Sequence, residues 1–182
     1  MGRLTHRTSP GSTYFVTTKA GQSISVFQVT EVAEILIRKL FEYRGKGNFS
    51  LHEFVLMPDH LHLLLTPAES TSLEKAMQLI KGGSSHEIHR IRASNVQIWQ
   101  SGFHESRVRD WSDYKNRLDY IHFNPVVAKL VDRPQDWTYS SASGKYELEP
   151  VPQGLKPKSS QPANVGPEGP TPKFLAAKAA KK

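Results

Sequence analysis

Two histidines one residue apart, His60 and His62, lie in the run MPDHLHLLL at 57–65, the most hydrophobic stretch of the chain. In an extended segment residues i and i+2 share a face, so both imidazoles project side by side while Leu61, Leu63 and Leu65 take the other. Two neutral imidazoles can offer two nitrogens to one divalent ion. They leave such an ion mostly unsatisfied, however, and an isolated H-x-H is a weak signal that reads more readily as two half-exposed surface histidines. There is no H-E-x-x-H and no cysteine, so neither a metalloprotease-type nor a thiolate site is available.

The candidates for completing a site lie sixty residues on, in DYIHFNP at 119–125. Tyr120 and Asn124 are four positions apart, which puts them on one helical face a turn apart. An asparagine carbonyl is a hard oxygen ligand suited to Mg²⁺ or Mn²⁺. A tyrosine beside that ion is a candidate nucleophile for a phosphodiester. A phenol, with a pKa of about 10, is a modest attacker at neutral pH. An ion held by His60, His62 and Asn124 would keep positions open for phosphate oxygens, orient the phosphate in line and stabilise charge on a leaving 3′-oxygen. Tyrosine attack stores the bond energy as a phosphotyrosine, so a strand can be rejoined as well as cut. His122 points about 200° around the helix from Tyr120 and is left out of the set. A helical tyrosine is ordinarily a core or boundary residue, and Asn before Pro ordinarily a helix stop. On these residues alone both readings stand.

The elements that must position these groups follow from patterning. TYFVTTKA (13–20) is a β-rich first strand, and 29–44 has helical periodicity. Strands at 49–57 and 60–67 are joined by Pro58-Asp59 as a hairpin. A T-x-x-E box at Thr71 and Glu74 opens a helix with Leu73, Met77 and Ile80 inside, and Gly82-Gly83 should weaken or kink it before it resumes at 86–92. Residues 96–108 read as extended, a fourth strand or a strand-like ribbon. Asp110 caps a helix over 111–124, in which Trp111, Tyr114, Leu118 and Ile121 keep helical spacing, and Pro125 ends or kinks it. The expected fold class is α+β. It is a ferredoxin-like, RRM-like split βαβ plan, with one antiparallel sheet, two helices on one face, and an added C-terminal helix carrying Tyr120. The histidines then face away from the two main helices.

Of the 182 residues, 37% are hydrophobic and the net charge is +7. Six lysines against one acid (Glu168) beyond residue 149 supply +5 of that charge, leaving +2 for the body. Seven of the twelve prolines lie from Pro150 onward. We therefore expect one domain over 1–148 and a disordered Pro/Lys-rich tail over 149–182. No stretch approaches the roughly 18 apolar residues of a membrane span, and the first ten residues lack the apolar core of a signal peptide. A cytoplasmic protein is expected, as a monomer or a homodimer.

Single-strand binding combines cations that track the backbone with aromatic stacking platforms. Lys81, Arg107, Arg109 and Trp99 are candidates for such contacts, with Arg90, Arg92 and Phe103 nearby. Ordinary solvated cations and a core tryptophan fit as well, and no RRM-type aromatic signature is present.

In order, the motifs VLMPDHLHLLL, LIKGGSS, IWQSGFHESRVRD, YIHFNPVVAKLV and WTYSSA (137–142) resemble the single-tyrosine members of the HUH endonuclease superfamily. The resemblance is closest to the REP-associated tyrosine transposases and covers about residues 13–146. It implies that His60 and His62 are the metal pair, that Tyr120 becomes linked to a DNA 5′-phosphate and leaves a free 3′-hydroxyl, and that Asn124 completes a Mg²⁺ or Mn²⁺ site. It also implies a partner, single-stranded DNA beside hairpins of the repetitive extragenic palindrome type, and DNA transposition as the outcome. The chain departs from the family at Val127, often basic, and at Lys129, often glycine. Two other classes fit the residues: a hairpin-DNA-binding protein that no longer cuts, and an unrelated metal-binding ferredoxin-like protein with a structural tyrosine.

Overall fold

A computed structural model describes residues 9, 11–21, 25–93 and 96–156. The elements are β1 (Tyr14–Lys19), α1 (Thr30–Gly45), β2 (Phe49–Leu56), β3 (His60–Pro67), α2 (Leu73–Arg92), β4 (His104–Arg107) and α3 (Trp111–Val127). The four strands form one antiparallel sheet in the order β2-β3-β1-β4. That order is the split βαβ plan, with the two hairpin strands and β1 bringing β3 to the middle.

The alternation along β3 decides which layer each side chain joins. Leu61, Leu63 and Leu65 are fully buried among α1 and α2 residues such as Leu36, Leu40, Met77 and Ile80. Each such leucine contributes roughly 1.5–3 kcal/mol of hydrophobic stabilisation. The other face of the sheet is not free. Phe15, Val55 and Leu64 pack there against Tyr114 and Ile121 of α3, so the sheet is sandwiched between two helical layers.

Four local expectations change in the structure. The cap of α2 is Ser72, whose hydroxyl accepts from the Lys75 amide, rather than Thr71. The helix then runs unbroken through Gly82-Gly83. A Cβ at Gly83 would collide with the Tyr43 ring, so this glycine lets α1 and α2 approach closely, while nothing crowds Gly82. The helix α3 continues past Pro125 to Val127, and the turn stops where Lys129 takes a left-handed φ of 59°. Only the last part of 96–108 is a strand. Ser101-Gly102 break it, with Gly102 at φ 72°, and residues 98–100 continue along β1 through a Trp99–Ala20 bridge.

The chain after α3 seals the β2 edge. Trp137 donates its indole N–H to the Leu56 carbonyl, and the Ser141 hydroxyl bonds both the amide and carbonyl of Phe54. The segment beyond 148 is tied down too. The Glu149 carboxylate accepts the Arg44 Nε–H, shared between its two oxygens, and the Leu51 amide. His52, the extra residue of a bulge between Leu51 and Glu53, reaches the Pro150 carbonyl at 3.0 Å. Val151 and Leu155 pack on the cluster beneath α3. The described fold therefore extends past the expected boundary at 148 to Lys156, because Glu149 and His52 supply bonds that composition does not reveal. The rest of the tail, from 157, lies outside the described residues.

Candidate active site

Central strand β3 and helix α3 meet over His62. The rings of His60 and His62 are 4.6 Å apart, and the Tyr120 ring stands edge-on to His62 at 5.1 Å. Phe15 of β1 stacks on His62 at 5.3 Å and meets Tyr120 at 5.8 Å. Both imidazoles and the tyrosine are thus brought together on the sheet face opposite α1 and α2. Asn124 lies one turn beyond Tyr120 on the same side of α3.

His62 is only 3% exposed, because α3 covers this face. Its Nδ1 lies 2.8 Å from the Thr17 hydroxyl, while its Nε2 is buried with no hydrogen-bond partner among the described residues. Burial, with the neighbouring His60 as a lesser cause, pushes the His62 pKa down to about 3 and keeps the ring neutral at physiological pH. His60 Nδ1 lies 2.6 Å from Asp59 Oδ1. Metal-ligating histidines characteristically anchor one ring nitrogen and present the other. The tautomer that frees Nε2 for coordination carries its proton on Nδ1, where Thr17 and Asp59 accept it. An orphaned buried nitrogen beside a second anchored imidazole fits a divalent metal. Among the described residues no third His, Cys, Asp or Glu joins the pair. Asn124 is the amide the sequence pointed to.

His122 sits away from this cluster and bonds Glu53 at 2.9 Å, with the Ser141 hydroxyl at 3.3 Å.

The expected DNA contacts divide. Trp99 is 5% exposed, packs on Phe27 and donates to the Ser84 hydroxyl, so it is a core residue and offers no stacking platform. The Lys81 ammonium is engaged by the carbonyls of Gln100 and Gly102, and burial lowers its pKa. It holds the loop before β4. Arg107 pairs across the sheet with Tyr14, which packs under α1 and α2, so it projects on the face away from His62. Arg109 is exposed at the start of α3, with Nε 3.5 Å from Asp113.

Sequence reasoning missed Phe15, Thr17, Asp59 and Arg117. Arg117 lies over the Phe15 ring at 4.9 Å. Alternation along β1 places Phe15 and Thr17 on one face, and the split βαβ plan sets β1 beside β3, but no local signal gives the register that pairs Thr17 with His62.

An Escherichia coli (strain K12) REP-associated tyrosine transposase is 26% identical over 145 residues, covering 76% of this chain and 84% of that protein. A solved structure of a REP-associated tyrosine transposase bound to a REP hairpin has the same fold. Its TM-score is 0.68 at 24% identity, over 86% of this chain and 89% of that one. The family model "Transposase IS200 like" matches residues 14–124, from the start of β1 to the end of the Tyr120–Asn124 turn. The chain belongs to this family of DNA transposases.

Proposed function

We propose that this transposase cuts and rejoins single-stranded DNA beside hairpins, with Tyr120 as nucleophile and a Mg²⁺ or Mn²⁺ ion held by His60, His62 and Asn124. The observation that carries the reading is the unpartnered, buried Nε2 of His62, 5.1 Å ring to ring from Tyr120. Metal dependence is general among transposases of this type. The hairpin partner is supported by the related transposase bound to a REP hairpin. The enzyme would act in the cytoplasm; among the described residues no helix is long and apolar enough to cross a membrane.

Tyr120 gives up its phenolic proton and its oxygen bonds the scissile phosphorus. The bond from phosphorus to the 3′-oxygen breaks, that oxygen takes up a proton, and the 5′-phosphate stays on Tyr120. A bound divalent ion supplies charge neutralisation at the phosphate oxygens. Phe15 and the edge-on contact with His62 fix the direction of the Tyr120 ring. Thr17 and Asp59 fix the imidazoles.

The test is incubation with labelled single-stranded hairpin DNA and Mn²⁺, followed by denaturing electrophoresis. A covalent species that disappears with chelator and in His60→Ala is the expected result. Tight hairpin binding with no covalent species on any hairpin would instead make the chain a binder that does not cut.

A further inference from the structure

Arg117 has two anchors that fix its side chain without using up its hydrogen-bonding capacity. Its guanidinium rests on the Phe15 ring at 4.9 Å. Its Nε bonds Asp113 Oδ1 at 3.2 Å, and Asp113 is itself held because its other oxygen accepts from the Arg109 amide. Among the described residues Asp113 is the only acceptor Arg117 meets, so its two terminal nitrogens have no protein partner. The side chain is 36% exposed, enough for those nitrogens to reach solvent.

The anchors also set its place. Phe15 is the ring that stacks on His62 and meets Tyr120, and Arg117 precedes Tyr120 by three positions on α3, hence on nearly the same side. A half-exposed ion pair within one helix adds little stability, so fold maintenance gives this arrangement little purpose. A pre-oriented fork with two open donors matches a phosphate, which it can hold bidentately.

We propose that Arg117, braced by Asp113 and Phe15, holds the DNA phosphate next to the scissile one and so sets the strand in line with Tyr120. The proposal rests on the DNA-cutting reading above for its substrate, but it concerns binding and can be tested apart from cleavage. Arg117 is a positioning residue here, and the transferred phosphate is not its ligand.

The test uses full-length Tyr120→Phe protein, with and without Arg117→Gln or Arg117→Lys, and a fluorescently labelled single-stranded oligonucleotide carrying one hairpin. Affinity is measured with Mn²⁺ over a series of salt concentrations, and thermal melting is recorded for each protein. Arg117→Gln is expected to weaken binding about ten- to a hundred-fold, the range for loss of charged hydrogen bonds. The slope of log affinity against log salt should become shallower by about 0.7, one phosphate contact on a single strand. Arg117→Lys should restore the slope but only part of the affinity, because an ammonium has no fork. An unchanged slope in Arg117→Gln overturns the proposal, whether affinity holds or falls together with the melting temperature. If the parent binds no such oligonucleotide, this proposal and the DNA-cutting reading both fail. If the parent binds and otherwise wild-type protein forms no covalent species, only the cutting reading fails, and the salt slopes still decide the role of Arg117.

Discussion

Replacing Thr17 with valine tests the metal site without touching a proposed ligand. Valine keeps the β-branched shape that suits β1, so the strand should persist. The change removes the partner 2.8 Å from His62 Nδ1. With His62 only 3% exposed, water does not readily replace that hydroxyl. A buried ring N–H left unsatisfied costs about 1–3 kcal/mol. The ring can avoid the cost by moving its proton to Nε2 or by turning, and either removes the lone pair a metal needs. Loss of an outer partner of this kind typically lowers metal affinity 10- to 100-fold. At about 1.4 kcal/mol per factor of ten, that range corresponds to roughly 1.4–2.8 kcal/mol, in line with the cost of the lost hydrogen bond. The assay is calorimetric titration of the DNA-free protein with Mn²⁺, for wild type, Thr17→Val and Thr17→Ser. Thr17→Ser, which keeps the hydroxyl, should stay close to wild type. Wild-type Mn²⁺ affinity in Thr17→Val would refute the idea that Thr17 sets the tautomer and direction of His62.

Other consequences concern the scaffold. Gly82→Ala should stabilise the protein by about 0.5–1 kcal/mol, since nothing crowds that position and a mid-helix glycine costs about that much. Gly83→Ala should destabilise by about 1–3 kcal/mol through overpacking against Tyr43, and thermal melting of the two variants separates packing from a kink. Lys129→Gly should raise stability by about 1 kcal/mol, a few degrees in melting temperature, because the left-handed φ of 59° suits glycine. Burial holds the pKa of His52 below its ordinary value of about 6.5. Below that pH the unfolded chain binds a proton that the native chain refuses, so stability should fall as pH drops from 6.5 and be flat above it. Denaturant titrations between pH 7.5 and 5.5 check this, and His52→Gln should lessen the slope.

The parts of this molecule that were legible in sequence are those written in local pattern. Alternation along HLHLLL assigned Leu61, Leu63 and Leu65 to one layer and the histidines to the other, and helical spacing put Tyr120 and Asn124 on one side of α3. Asp110 was readable as a cap because it precedes a periodic run, and its side chain does accept from the Asp113 amide. What failed depended on neighbours distant in sequence. Gly82-Gly83 carries the composition of a break, but the close approach of Tyr43 gives Gly83 a packing role. Trp99 and Lys81 look like DNA contacts until the loop before β4 folds over α2 and absorbs both. The expected Tyr120–histidine pairing brings α3 to the histidine face, but nothing local says how closely it packs there, and that packing is what buries His62. Pro150–Lys156 has the composition of a flexible tail, yet the Glu149 carboxylate and the buried His52 tie its start to β2.

The central claim is that Tyr120 forms the covalent bond to DNA, and the most direct test is to locate that bond. Wild-type protein trapped on a single-stranded hairpin oligonucleotide with Mn²⁺ can be digested with nuclease and protease and its peptides mapped by mass spectrometry. The account predicts a 5′-phosphonucleotide on the peptide containing Tyr120, and no adduct from Tyr120→Phe protein. A nucleotide carried by another residue, or an adduct that persists in Tyr120→Phe, would contradict it.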